Sequence, residues 1–587
     1  MRYFVLACDY DGTLAHHGAV DEPTRAALVR LRESGRKFVL VTGRELVELK
    51  EVFPSLELFD YVVAENGGTL YRPATREEKP LAEPPPAAFV AALAARGVKP
   101  ISQGRVILAT WEPHETTVLE TIRDFGLELQ VIFNKGAVMI LPSGVNKATG
   151  LKAALRELAI SRHNVVAVGD AENDHALLGA AECAVAVSNA LPTLKEKADW
   201  ITHGVAGAGV TELIDALLAD DLASVAPKLQ RHDLLIGKTT GASGNTSKDV
   251  MLRSYGTNLL IAGQHGSGRS HLAATLLERM TKSGRQFCVI DPDGEYEHLT
   301  NVGLVGSATQ VPDLDKVLKL LEEPGKSVVV NIRGMRADER PSFVARLLPR
   351  LDELRSRVGR PHWIVIDEAQ QMLPAAREAA SLGLPRHLDR LMLVTLENCD
   401  QLHPDALAAV DAVLTVGDGA EGTLNRFLMA RKLDAPHAGN GKATISTRLA
   451  VGEALHWSAE APDRCVVKVE PAGLHPRRAG RPLVDGDLGP QNSFYFRGPE
   501  QKLNLRAQNL NAFLQLADGV DDGTWLYHLA RGDYARWFRE DLKAPELADE
   551  AVPVADRLGT QPEESRAAIR RLIEAYYPRA VQSSIGK

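Results

Sequence analysis

The sequence lacks the features that mark secreted, membrane-spanning and nucleic-acid-coating proteins. Its five cysteines (Cys8, Cys183, Cys288, Cys399 and Cys465) are scattered over 587 residues without a CxxC pair. That excludes a disulfide frame or zinc ribbon and leaves reduced thiols packed as small apolar residues. No uninterrupted apolar run reaches the roughly 18 residues of a membrane span, so no membrane partner is expected. The opening MRYFVLACDYDG enters an apolar strand without a basic leader or cleavage site, the pattern expected of a soluble, cytoplasmic chain. Positive charge is not in excess: 68 Lys and Arg face 76 Asp and Glu, a formal net charge of −8. Indiscriminate coating of nucleic acid is therefore not expected, and a DNA role needs a local basic groove. The chain has no internal repeat and no long low-complexity tract.

What is present is length and 45% hydrophobic content, enough for about three or four domains. From the start to residue 215, the runs YFVLACD, KFVLVTG, YVVAENG, VVAVGD and CAVAVS alternate with helical patterns, the βαβ rhythm of a parallel sheet covered on both faces. An insertion at about 67–145, with a Pro-rich stretch and further strand candidates, has the character of a lid over the sheet's carboxyl edge. Residues 216–231 read as a linker. A second α/β module is expected over 232–460 and a small, mostly helical domain over 461–587.

Four polar motifs fall in order at strand ends of the first module. CDYDGT places Asp9 and Asp11 two apart in an extended segment, so both carboxylates share a face. Thr42 ends the strand of VTGR, Lys147 opens a helix in VNKATGL, and Asp170 and Asp174 bracket a turn in VGDAENDHALL. In this order and context the set resembles the haloacid dehalogenase (HAD) superfamily of phosphohydrolases, in particular the Cof-type branch with a large cap. The resemblance implies that Asp9 is the nucleophile and Asp11 the acid and base. It also implies that Thr42 and Lys147 hold the phosphoryl oxygens. Mg²⁺ would then rest on Asp9, Asp11 (through its backbone carbonyl) and Asp170, with Asp174 among the metal-site residues or orienting Lys147. Asn66 and Asn173 are candidate pocket walls, and Arg44 either reaches substrate or forms a structural salt bridge.

Residues 263–270 read GQHGSGRS, the frame of a phosphate-binding loop with Arg269 in place of the usual lysine. A strand precedes it and an amphipathic helix follows, so Gly263, Gly266, Ser267, Gly268, Arg269 and Ser270 form a candidate phosphate cradle. Nearly a hundred residues on, HWIVIDEAQ ends a strand in Asp367 and Glu368. Asp367 would serve the Mg²⁺ shell with Ser270 as a direct ligand, and Glu368 would polarise water. The module resembles HerA/FtsK-type ATPases, ring-forming motors of the additional-strand class, and Thr395 falls where that class carries a polar sensor. Because guanidinium is a broad fork rather than a point charge, the loop is expected to bind ATP without effective hydrolysis.

The fold class expected is therefore α/β: a Rossmann-like parallel sheet with an inserted α+β cap, a RecA-like P-loop domain, and the helical tail. The function expected is hydrolysis of a small phosphorylated metabolite, regulated or oligomerised by the nucleotide-binding module. The alternative is a DNA-associated ring ATPase, for instance in genome defence, with the phosphatase as effector. In the tail, the basic run HPRRAGR, with Arg497, Lys502 and Arg506 nearby, adjoins Phe494, Tyr495 and Phe496; it is either a surface for a phosphate-rich partner or a solvated face that answers the acids of DGVDD and REDL. Trp525, Tyr527, Tyr534, Trp537 and Phe538 have the spacing of core residues.

Overall fold

A computed structural model describes residues 1–134, 136–225, 231–239, 247–376, 384, 389–433, 449–469, 488–499, 501, 503–542, 544–558 and 561–576. The apolar runs of the first module become strands buried along their whole length at Val5–Cys8, Tyr61–Ala64, Val165–Gly169 and Cys183–Ala186, as two covered faces demand. They lie in an eight-stranded sheet whose order runs Trp200–Ile201, Cys183–Ala186, Val165–Gly169, Val5–Cys8, Lys37–Val41, Tyr61–Ala64, Thr69–Arg72, Glu77–Pro80. The first six pair in parallel and the last two antiparallel. The hairpin Thr69–Pro80 thus extends the main sheet instead of opening the cap. The cap proper is an antiparallel sheet of Ser102–Gln103, Leu108–Trp111, Ala137–Pro142 and Leu129–Asn134, built with the helices Ala87–Ala95 and Glu115–Phe125.

The second module is an eleven-stranded sheet. Seven of its strands pair in parallel, in the order Ala412–Val416, Leu259–Gly263, Leu391–Leu396, Trp363–Ile366, Phe287–Asp291, Ser327–Asn331, Val302–Val305. Antiparallel strands Glu453–Ser458, Cys465–Lys468, Leu234–Thr239 and Asp249–Leu252 continue it beyond Ala412–Val416. Cys465–Lys468 lies past the expected boundary at 460, and the helix Ala206–Asp220 fills the first residues of the expected linker with Leu213 and Leu217 buried. Both boundaries rest on local changes in composition, which burial of a few apolar side chains overrides.

The chain parts into two compact units: Met1–Arg269, Arg279–Pro292 and Asn301–Val469 in one, and the described residues of Ser270–Glu278, Asp293–Thr300 and Glu470–Lys587 in the other. In the second unit Phe494, Phe496, Phe513, Trp525, Tyr534, Trp537 and Phe538 form one aromatic core. Tyr527, expected in that core, is only half-buried. Phe494 and Phe496 are thereby turned inward, away from any partner, while the basic run at 475–481 and Lys502 lie outside the described residues. No helix among the described residues is long and apolar enough to cross a membrane.

Within the first unit the two sheets meet through a buried polar cluster. Glu182 takes Arg285 at 3.2 Å, His163 at 2.7 Å and Arg2 at 3.6 Å. His163 Nε2 lies 3.0 Å from the Ser283 carbonyl, the Tyr255 hydroxyl donates to the His163 carbonyl, and Arg360 donates to that of Ala159. Burial alone would raise the Glu182 carboxyl, but Arg285 and then His163 outweigh it and hold it well below the usual range. A group so depressed adds stability above its ordinary value of 4.5 and loses it as pH falls below,. Replacing Glu182 by Gln leaves buried cations unpaired, at a cost of about 3–5 kcal/mol. Melting curves at pH 7 should show a clearly lowered transition for Glu182→Gln, with the gap to the parent closing as pH drops through 4.5. A pH-independent gap would refute this account.

Candidate active site

Parallel strands deliver the first set of motif residues to one edge of the eight-stranded sheet. Asp9 follows Val5–Cys8, Thr42 follows Lys37–Val41, and Asp170 follows Val165–Gly169. Lys147 opens the helix Lys147–Glu157. Its ammonium is 1% exposed and donates to Asp9 Oδ1 at 2.6 Å and Asp174 Oδ1 at 2.7 Å. Burial would lower the ammonium, but Asp174 and Asp9 more than offset it and hold it above the usual lysine value. The second oxygen of Asp174 accepts the amides of Asp170 and Ala171, so Asp174 is fully committed to holding this corner in shape. Asp170 accepts from Thr13 at 3.0 Å.

Two local devices fix where Lys147 stands. Asn146 caps the helix in a reciprocal capping box with Thr149,. Gly67, with φ of +106°, passes so close that an added Cβ would fall 2.0 Å from the Asn146 carbonyl oxygen. The glycine of AENGG is thus a spacer for the lysine helix. Asn66, also left-handed, donates its amide to the Thr42 carbonyl, and its side-chain oxygen accepts from Asn173 at 3.2 Å.

Asp11 does not join the Lys147 cluster. Arg44 grips both its oxygens, at 2.6 and 2.8 Å, and also contacts Glu48. The sequence left Arg44 open between substrate and salt bridge, and in this structure it is paired with the candidate acid. Glu65 was missed altogether: its buried carboxylate accepts the amides of Arg105, Val106 and Ile107, tying cap to core. An acid in a left-handed position beside glycines was the available signal.

The second set of residues lies at the glycine loop. Leu259–Gly263 is separated from Trp363–Ile366 by the strand Leu391–Leu396, which carries Thr395. Gly263 runs against the neighbouring strand, where a Cβ would fall 2.5 Å from the Val416 carbonyl. Gly266 and Gly268 have φ of +78° and +92° with nothing within 4 Å, the open, left-handed backbone that a phosphate cradle needs. Ser267 folds its hydroxyl onto the Gln264 carbonyl at 2.8 Å. Arg269 and Ser270 begin the helix Arg269–Ser283. Arg269 is buried and its Nη2 donates to Glu368 Oε1 at 2.8 Å. Glu368 sits in the left-handed region at φ 45°, and its amide donates to Asp367 Oδ1 at 2.8 Å. Gln370, missed in the sequence, donates to Glu368 and accepts from the Thr395 hydroxyl at 2.8 Å.

Comparison with known proteins bears on the first set and on the glycine loop of the second. Residues 6–85 and 113–214 match the family described as haloacid dehalogenase-like hydrolase, and residues 236–313 match the one described as Helicase HerA, central domain. A protein named Phosphoglycolate phosphatase 2 from Saccharolobus solfataricus is 33% identical over 221 residues, spanning 37% of this chain and 92% of that one. A Phosphoglycolate phosphatase from Methanothermobacter thermautotrophicus is 32% identical over 223 residues, 36% of this chain and 96% of that one. The chain belongs to the haloacid dehalogenase-like hydrolases. In this hydrolase the family's region occupies the first sheet and its cap, and the HerA match covers the glycine loop and the strand after it.

The Gly67 contact gives a direct test of how the lysine corner is held. Gly67→Ala forces an L residue into the left-handed region, about 1–3 kcal/mol, and drives its methyl into backbone that cannot rotate away. The variant hydrolase should melt well below the parent, and an unchanged melting temperature would show that the helix start is not set here.

Proposed function

We propose that residues 1–215 carry a Mg²⁺-dependent phosphatase that hydrolyses a small phosphorylated acid of the phosphoglycolate kind through an aspartyl-phosphate, and that residues 232–460 bind a nucleotide and regulate or assemble it. The observation that carries the first part is the buried Lys147 ammonium between Asp9 and Asp174, with Asp170 beside them. Asp9, Asp170 and Asp174 are all buried and offer ligand atoms within 4.8 Å of one another. One ammonium balances only one of these three carboxylates. Burial and Asp174 push the Asp9 carboxyl up to about 8 against the pull of Lys147, so the donor set suits a divalent cation, and Mg²⁺ favours few carboxylates plus substrate oxygens. Asp9, Asp170 and the Asp11 carbonyl would hold it, since both oxygens of Asp174 are engaged. When bound, the ion neutralises charge on the phosphoryl oxygens.

In this reading an Asp9 oxygen attacks phosphorus as the bond to the ester oxygen breaks, and Asp11 gives its proton to that leaving oxygen. Water then attacks the phosphorus of the aspartyl-phosphate, its proton passes to Asp11, and inorganic phosphate leaves with Asp9 restored. Thr42 and Lys147 hold the phosphoryl oxygens throughout. The Arg44 grip occupies both oxygens of Asp11, the group that must face the leaving oxygen. A substrate carboxylate near the ester oxygen would draw Arg44 away and free Asp11 to face that oxygen. That favours a phosphorylated acid, in keeping with the names of the phosphoglycolate phosphatase relatives.

Phosphate release from phosphoglycolate with Mg²⁺ tests the reading. Asp9→Asn should lower the rate by on the order of 10⁴-fold or more, and activity surviving that change would remove Asp9 as nucleophile. Arg44→Ala should raise KM for phosphoglycolate about 10- to 100-fold, the worth of hydrogen bonds to a charged group, with little change in KM for p-nitrophenyl phosphate, which has no carboxylate. Equal effects on both esters would show that Arg44 does not read the acid.

The glycine loop, the interposed strand carrying Thr395 and the HerA match support the second part. The same match favours one competing reading, a DNA-driven ring ATPase with the phosphatase as its effector. A ring-sized assembly in gel filtration, with ATP turnover that rises on adding DNA, would establish that reading over a nucleotide-binding regulator.

A further inference from the structure

Four polar side chains around the glycine loop are tied into one chain of hydrogen bonds. Arg269 donates to Glu368 Oε1 at 2.8 Å, Gln370 donates to Glu368 Oε2, and the Thr395 hydroxyl donates to Gln370 Oε1 at 2.8 Å. One group is left over. Arg269 is only 5% exposed, yet its Nη1 has no partner among the described residues. An unpaired buried donor costs about 1–3 kcal/mol, more when charged, so its position in the loop calls for an acceptor. Beside it, Gly266 and Gly268 leave the backbone open on the side where a Cβ would stand. A phosphate oxygen is the acceptor that a guanidinium fork in a glycine loop fits.

We propose that Arg269 bridges a bound nucleoside triphosphate and Glu368, with one arm on each, so that the loop retains the triphosphate without hydrolysing it. The proposal rests on the nucleotide-binding reading of this loop. To activate water, Glu368 must accept a proton, and here one oxygen is committed to a cation and the other to an amide. Thr395, which could otherwise contact the terminal phosphate, is spent on Gln370. A lysine at 269 lacks the rigid planar fork: its compact ammonium on a flexible stem would follow the triphosphate charge and loosen the hold on Glu368.

The test uses the full chain carrying Asp9→Asn, so that the first site contributes no ATP hydrolysis. The protein is incubated with Mg²⁺ and ATP, separated from free nucleotide by gel filtration, and quenched in acid, and the bound nucleotide is identified by ion-exchange chromatography. ATP should be recovered intact. Adding Arg269→Lys should raise phosphate release at least about tenfold, and adding Glu368→Gln to that variant should abolish the gain. Gln370→Ala, which leaves the loop untouched, should give a smaller rise in the same direction and covers the case in which the lysine variant misfolds. If the Asp9→Asn chain turns ATP over as fast as the lysine variant, or if neither Arg269→Lys nor Gln370→Ala raises the rate, the bridge is overturned while nucleotide binding stands. If no ATP is bound at all, the nucleotide-binding reading falls with it.

Discussion

A lysine ammonium almost fully shielded from water sits between two aspartates, and the first sheet is arranged around that contact. Taking such ions out of water costs several kcal/mol each, and the start of a helix is the wrong place for a cation, because the macrodipole is positive there. Lys147 bears both penalties. Asp9 and Asp174 come from separate segments, so the site can form only when the parallel strands are in register and the lysine helix is pinned by Asn146 and Gly67. The same crowding of carboxylates that makes the corner costly without a cation makes it receptive to one.

Much of this was legible in the sequence because parallel strands bring their ends to a common edge. Asp9, Thr42, Lys147 and Asp170 could be placed together from motif order alone, and the strand Leu391–Leu396 falls between the loop strand and the acid strand, as the additional-strand resemblance implied. What was not legible depends on tertiary partners. Nothing local tells that Arg44 grips Asp11, that Glu65 anchors three cap amides, or that Gln370 links Glu368 to Thr395. Edge strands escaped for another reason. Glu77–Pro80 is polar and mostly exposed, so it has no apolar alternation to detect, and it was assigned to the cap.

The glycine loop shows why a substitution is best judged with its partners in view. Replacing lysine with arginine keeps the charge, so the sequence could weigh only size and shape. The structure adds that the broader group has an occupation already, in Glu368. The residue that departs from the usual frame is thus joined to the acid proposed to activate water.

The polar cluster joining the two sheets has a geometric consequence of its own. Arg2, His163 and Glu182 stand just before the strands Val5–Cys8, Val165–Gly169 and Cys183–Ala186, and Arg285 and His362 stand just before Phe287–Asp291 and Trp363–Ile366. The sheets therefore meet at the ends where their strands begin, whereas Asp9, Asp170, Gly263 and Asp367 all lie where strands finish. The two sites therefore stand at the strand ends remote from the junction. Any influence between them must travel through the length of two strands, on the order of 30 Å of backbone, by way of buried charges that lock the sheets end to end.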